Sequence, residues 1–256
     1  MPGAKSTTDT ERLQREKAFH NDVFKRDDRG SVAAYSVIDT SSREYKSLIL
    51  PRAQGKSVLE YGCGPGTYSF QLAPVAGHVT GIDLSEVAIE KARRRSVERN
   101  APNTEFHVMD AENLTFPDAT FDLVCGRAIL HHLNLARAFQ TIGRVLKPGG
   151  IAIFHEPLGH NPMVNLYRRF TPSKRTVDEH PLLDRDIDLA RQYFDRVEVK
   201  PFVLFSLFAA PLHKVPGYRL LVGALEAVDR AVFRIPGAYR YGWTSIWIMQ
   251  YPKRPQ

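Results

Sequence analysis

Cysteine is scarce: Cys63 and Cys125 are the two in 256 residues. That excludes a disulfide framework and a four-cysteine zinc site, and it fits a reducing, cytoplasmic compartment. No run of 18 uncharged apolar residues occurs, so no segment reads as a membrane-spanning helix. The first 30 residues are polar and lack the apolar stretch of a secretory signal. Internal repeats are absent, and no nucleic-acid recognition motif interrupts the chain. With 43% hydrophobic and 25% charged residues, the composition is neither disordered nor low-complexity.

What is present is an alternating pattern. Asp9 and its neighbours open a charged helix over 8–25, and a second helix over 41–50 is stopped by Pro51. From Lys56 onward short apolar runs alternate with helical segments. Strands are expected at 57–61, 78–82, 105–108, 121–124 and 151–154, with helices over 67–76, 85–99 (capped by Ser85) and 134–146. Leu135, Ala138, Phe139, Ile142 and Val145 share one face of the last helix. Strands joined by helices through short loops predict a doubly wound α/β domain with a mostly parallel sheet. Two further strands are expected at 197–204 and 243–251. The 38 residues between them, rich in Leu, Val, Ala, Tyr and Phe, are too many for a plain loop and predict a helical insertion.

The strongest local signal is Val58-Leu59-Glu60-Tyr61-Gly62-Cys63-Gly64-Pro65-Gly66-Thr67. Glycines at 62, 64 and 66 follow a buried strand, where open α/β sheets bind their ligands. Asp83 ends the next strand and can accept hydrogen bonds from both hydroxyls of a ribose. A dinucleotide fingerprint would want a third glycine at Thr67. Glu60 would also repel a pyrophosphate, so it suits a ligand with a cationic end.

Glu60-x-Gly62-x-Gly64-x-Gly66, the acidic Asp83, Asp110-Ala111 after the third strand and Leu146-Lys147-Pro148-Gly149-Gly150 before the fifth together resemble a class I S-adenosylmethionine (SAM)-dependent methyltransferase. The resemblance covers about residues 30–157. It implies a seven-stranded sheet whose last strand is antiparallel. It implies that Glu60, Gly62, Gly64 and Gly66 line the methionine end of the cofactor, and that Arg127 passes close by. By the same resemblance Asp83 holds the ribose, Leu84 packs on adenine, Asp110 accepts from the adenine amino group and Ala111 offers its amide. S-adenosylhomocysteine would be the product. Residues 1–50 would form a helical lid, from which Tyr35 reaches the cofactor. Residues 51–256 would form the methyltransferase domain, with acceptor-side insertions at about 157–190 and 205–240.

Methyl transfer from a sulfonium needs alignment and exclusion of water, and a hydroxyl acceptor also needs a base near neutral pKa. His131, or its neighbour His132, in Leu130-His131-His132, is one candidate. His155, oriented by Glu156, is another. The spacing of His155, Glu156, His160 and Glu179 matches no compact metal motif, so no metal is expected.

Net charge is +7, of which +5 falls after residue 210, on Lys214, Arg219, Arg230, Arg234, Arg240, Lys253 and Arg254 against Glu226 and Asp229. These cations interleave with large apolar residues and with Trp243 and Trp247. That pattern disfavours nucleic acid. It suits cover for the sheet, a greasy acceptor pocket, or peripheral membrane contact through 205–247. The expected function is methylation of a small lipophilic or aromatic acceptor on O, N or C. The alternatives are a lipid or isoprenoid-quinone methyltransferase at a membrane surface, and a SAM-binding regulator without turnover.

Overall fold

The computed structural model describes residues 9–26, 37–171, 176 and 178–253. Seven strands form one sheet: β1 (Ser57–Tyr61), β2 (His78–Asp83), β3 (Thr104–Val108), β4 (Phe121–Arg127), β5 (Leu146–Pro157), β6 (Phe194–Phe202) and β7 (Thr244–Pro252). Their order is β3-β2-β1-β4-β5-β7-β6. Strands β1 to β5 pair in parallel, and β7 runs antiparallel between β5 and β6. The sheet order reverses beside β1, so the carboxyl ends of β1, β2 and β4 open onto a common crevice.

Alternation along each strand assigns its side chains to two cores. Leu59 and Tyr61 of β1 face the larger core, with Val124, Phe154 and Trp247. Helices α5 (Leu135–Val145) and α7 (Asp184–Tyr193) close that side through Phe139, Ile142, Ile187 and Ala190. Val58, Leu123, Cys125, Ile153 and Ile248 face the other side, under α2 (Asp39–Ala53). Tyr45, Ile49 and Ala53 are spaced four apart and fully buried there. That stripe holds the last turn of α2 through Pro51, where the expected stop at Leu50 does not occur. One lost backbone hydrogen bond near a helix end is a small cost against such burial.

Other boundaries move too. The helix expected over 67–76 shrinks to α3 (Ser69–Leu72). Strand β5 starts at Leu146, so the Lys147-Pro148-Gly149-Gly150 turn lies within its span, beside a register shift against Phe121 and Leu123. Helix α4 (Glu86–Glu98) begins as expected: Ser85 Oγ accepts from the Ala88 amide at 3.1 Å. The strand expected at 197–204 becomes β6, Phe194–Phe202. The insertion before β7 is helical: a 3-10 segment over Ser206–Leu212, α8 (Tyr218–Val232) and a 3-10 turn over Ala238–Tyr241. Helix α6 (Pro162–Phe170) precedes α7. Trp247 is fully buried, its Nε1 donating to Ser245 Oγ at 2.9 Å.

The two described helices of the 1–50 stretch sit on different sides of the molecule. Helix α1 (Asp9–Arg26) lies over the carboxyl ends of the strands, whereas α2 packs beneath the sheet. No helix among the described residues is long and apolar enough to cross a membrane.

Candidate active site

A cavity of about 180 Å³ opens where the sheet order reverses. Its floor comes from the carboxyl ends of four parallel strands, through Gly62, Asp83, Asp110 and Arg127 among others. Its roof is one face of α1, including Leu13, Glu16, His20 and Phe24.

The glycine turn after β1 takes left-handed backbone at all three glycines, with φ of +59° at Gly62, +52° at Gly64 and +80° at Gly66. A side chain at Gly66 would meet the Phe70 ring at 2.6 Å, so any larger residue there is both strained and obstructed. Asp83 Oδ2 accepts from the Gly64 amide at 2.9 Å and Oδ1 from the Ser85 amide at 2.8 Å. These bonds tie the turn to the end of β2 and leave further lone pairs for a ligand hydroxyl. Burial pushes the Asp83 pKa up, while those two amides pull it back.

Asp110 accepts from the Glu112 amide at 2.9 Å and from Asn113 Nδ2 at 3.0 Å. Asp110, Ala111 and Leu84 line the cavity side by side. Arg127 lines it as well and donates to the Tyr68 hydroxyl at 3.1 Å. The cavity therefore collects Gly62, Asp83, Leu84, Asp110, Ala111 and Arg127 from the expected cofactor set. Gly64 and Gly66 stand behind it in the turn. Glu60 is buried under the turn, accepts from Ser69 Oγ, and does not line the cavity. Its desolvation pushes its pKa up to about 7, against the lowering effect of Ser69 and Tyr68 donors. Tyr35 lies outside the described residues.

The histidines separate. The expectation that Glu156 orients His155 is corrected, because successive strand residues point to opposite faces. His155 turns toward α2, where its ring lies against Tyr45 at 5.8 Å with neither nitrogen partnered. Burial, with Arg127 nearby, lowers its pKa to about 3. Glu156 turns to the other face and meets His131: Oε2 lies 2.7 Å from His131 Nδ1. Its Oε1 accepts the amides of Ile129 and Leu130 at 2.9 and 3.0 Å. Burial raises the Glu156 pKa to about 7, and burial lowers that of His131. His131 is thus a buried imidazole held against the Glu156 carboxyl group. Its ring packs on His132 at 4.2 Å, and His132 is the one that reaches the cavity wall.

Helix α1 is fastened over this site by polar contacts that sequence reasoning missed. Arg12 Nη2 meets Glu112 Oε1 at 2.5 Å, and Arg12 Nη1 donates to the His132 carbonyl at 2.9 Å. Arg15 forks onto Asp178 with two bonds of 2.9 Å. Ser85 Oγ donates to Asn21 Oδ1 at 2.6 Å. The partners are more than 60 residues apart, so no local spacing reveals them. The four residues His155, Glu156, His160 and Glu179 do not form a common cluster among the described residues.

Residues 58–150 match the family model described as a methyltransferase domain. A 27-O-demethylrifamycin SV methyltransferase of Amycolatopsis mediterranei is 35% identical over 105 residues, covering 40% of this chain and 39% of that protein. A ubiquinone biosynthesis O-methyltransferase of Coxiella burnetii is 33% identical over 115 residues, covering 44% of this chain and 48% of that one. The chain spans less than half the length of these curated relatives. Among solved structures, a Haemonchus contortus phosphoethanolamine N-methyltransferase bound to phosphomonomethylethanolamine and S-adenosylhomocysteine superposes with a TM-score of 0.64. It is 19% identical and covers 98% of this chain and 62% of that one, a likeness of fold.

Proposed function

From the class I SAM-dependent methyltransferase domain that this chain carries, we infer that it transfers the methyl group of SAM to a small lipophilic acceptor. The carrying observation is the cavity that Gly62, Asp83, Asp110 and Ala111 line together. In this reading Asp83 holds the ribose hydroxyls, Leu84 packs on the adenine, and Asp110 with the Ala111 amide reads its edge. Arg127 and the glycine turn bound the methionine end. Glu60 acts from beneath, shaping the turn through Ser69 and adding negative field toward the cofactor's cationic end.

The fold keeps the acceptor side chemically simple. The donor is already activated, so alignment and dryness carry the reaction. Helix α1 supplies the roof that excludes water. Where the acceptor is a hydroxyl, His131 is the candidate base; it is held by Glu156 and packs behind His132, the histidine that lines the cavity, and the acceptor proton leaves as the oxygen lone pair attacks the methyl. His155 faces the other core and has a packing role.

A second reading, work at a membrane surface, is favoured by the exposed apolar residues of α6, the 205–212 segment and α8. Phe170 is 78% exposed, Leu220 82% and Ile235 59%, with Arg219, Arg230 and Arg234 interleaved.

Incubation with SAM carrying a labelled methyl group and a crude extract, followed by solvent partition, tests the function. Label in the organic phase supports a lipophilic acceptor. Label only in water overturns lipophilicity and returns the apolar insertion to structural cover. Cofactor binding with no product in any extract favours a SAM-binding regulator instead.

A further inference from the structure

Three side chains in the cavity's roof and wall form a group that methyl transfer does not require. Glu16 and His20 lie four residues apart on α1, so they share the face turned toward the cavity. His132 ends the short turn after β4 and faces them from below. Glu16 Oε2 is 3.1 Å from His132 Nδ1 and 3.4 Å from His20 Nε2. All three donor atoms fall within 4.8 Å of one another.

Glu16 is 4% exposed, and its other oxygen, Oε1, is already taken by the Thr176 hydroxyl. Glu16 Oε2 and His132 Nδ1 are buried and have no hydrogen-bond partner. They face each other at 3.1 Å, a contact that a protonated imidazole or a shared cation would satisfy. Buried polar atoms without partners are rare and ask for a ligand. The two imidazoles meet edge to plane, at 80° with centroids 5.1 Å apart, so neither ring stacks over the other's nitrogen.

Donors at 2.0–2.1 Å around a tetrahedral ion stand about 3.3 Å apart. The Glu16 oxygen already has both nitrogens at that spacing. Two imidazoles and one carboxylate are a zinc-class donor set, poorly matched to magnesium or calcium. The neighbouring cations are occupied: Arg12 by Glu112 and the His132 carbonyl, Arg127 by Tyr68. Neither competes for Glu16.

We propose that Glu16, His20 and His132 bind one zinc-class divalent cation that fastens α1 to the β4 loop, with its remaining coordination position open to the cavity. The ion would join the lid to the floor at a place where protein contacts alone leave two donors unmatched. Its open position would take water or an oxygen of the acceptor. A second group, His131, His132 and Glu179, shares His132. It is the weaker set, because Glu156 already holds His131 Nδ1.

The inference does not rest on methyl transfer, since the test needs no cofactor. The chelator-treated full chain is titrated with Zn²⁺ against a chromogenic zinc indicator, with Mg²⁺ as control. One equivalent of Zn²⁺ should bind tightly. Glu16→Gln, His20→Ala and His132→Ala should each weaken it by about tenfold or more. His20 is partly exposed, so His20→Ala should keep the metal-free melting temperature. Zn²⁺ should raise the melting temperature of the wild type and not of that variant. His78→Ala, at a half-exposed position away from the cavity, should bind as the wild type does. Zn²⁺ binding no tighter than Mg²⁺, or unchanged in all three variants, overturns the proposal. Loss in His132→Ala and Glu179→Gln with retention in Glu16→Gln also overturns it, by moving the ion to the neighbouring group.

Discussion

Residues 58–150 and residues 158–243 belong to one chain but solve different problems. The first stretch surrounds a ligand of fixed chemistry. Its central strands are buried, its turns are held by Asp83 and Ser85, and apart from Val97 and Val108 its large apolar residues are at least partly covered. The second stretch leaves Leu166, Phe170, Phe208, Leu220 and Ile235 in solvent. The second region still contributes Leu182, Ile187, Ala190 and Phe194 to the larger core, so its exposed residues lie outside the part that packs on the sheet. The family model likewise ends at residue 150, before the second region begins.

The comparison can be broken at its strong end. Phe139→Ala removes a fully buried ring from the larger core and should cost about 3–5 kcal/mol of unfolding free energy in a denaturant titration. A cost under about 1 kcal/mol would mean that the core on the α5 side is loosely packed. Asp83→Ala tests the site on the same scaffold. It should weaken SAM binding by about 1–3 kcal/mol in calorimetry. Unchanged affinity would remove Asp83 from the cofactor site. Leu220→Ser stands at the weak end. Stability should move by no more than about 0.5 kcal/mol, while partitioning onto anionic vesicles should fall if α8 meets a membrane. A large loss of stability would show that α8 is packed in solution against something its exposure does not reveal.

Much of the first region was legible because its signals are local. Glycines at 62, 64 and 66, the cap at Ser85 and the stripe from Leu135 to Val145 each act within one element, so spacing alone reveals them. The long-range contacts were not legible. Arg12 with Glu112, and Arg15 with Asp178, join residues 100 or more apart. The pairing of Glu156 was misread for a simpler reason. Adjacent strand residues point apart, so the partner of Glu156 had to come from another element, and His131 supplied it. Helix α2 shows why position along the chain does not reveal which side of the sheet a helix covers. Its Tyr45-Ile49-Ala53 stripe belongs to the sheet.

One carboxylate, finally, governs how the second region is attached. Asp229 is the buried residue of α8, and it accepts the amides of Leu204, Phe205 and Ser206 at 3.0, 2.6 and 3.3 Å, with the Ser206 hydroxyl at 2.7 Å. It therefore works as a plug in a socket at the end of β6. The outward faces of α8 can change residue by residue without disturbing the sheet, so long as that plug is kept. The helix is thus pinned at one end by a polar joint rather than by its outward faces.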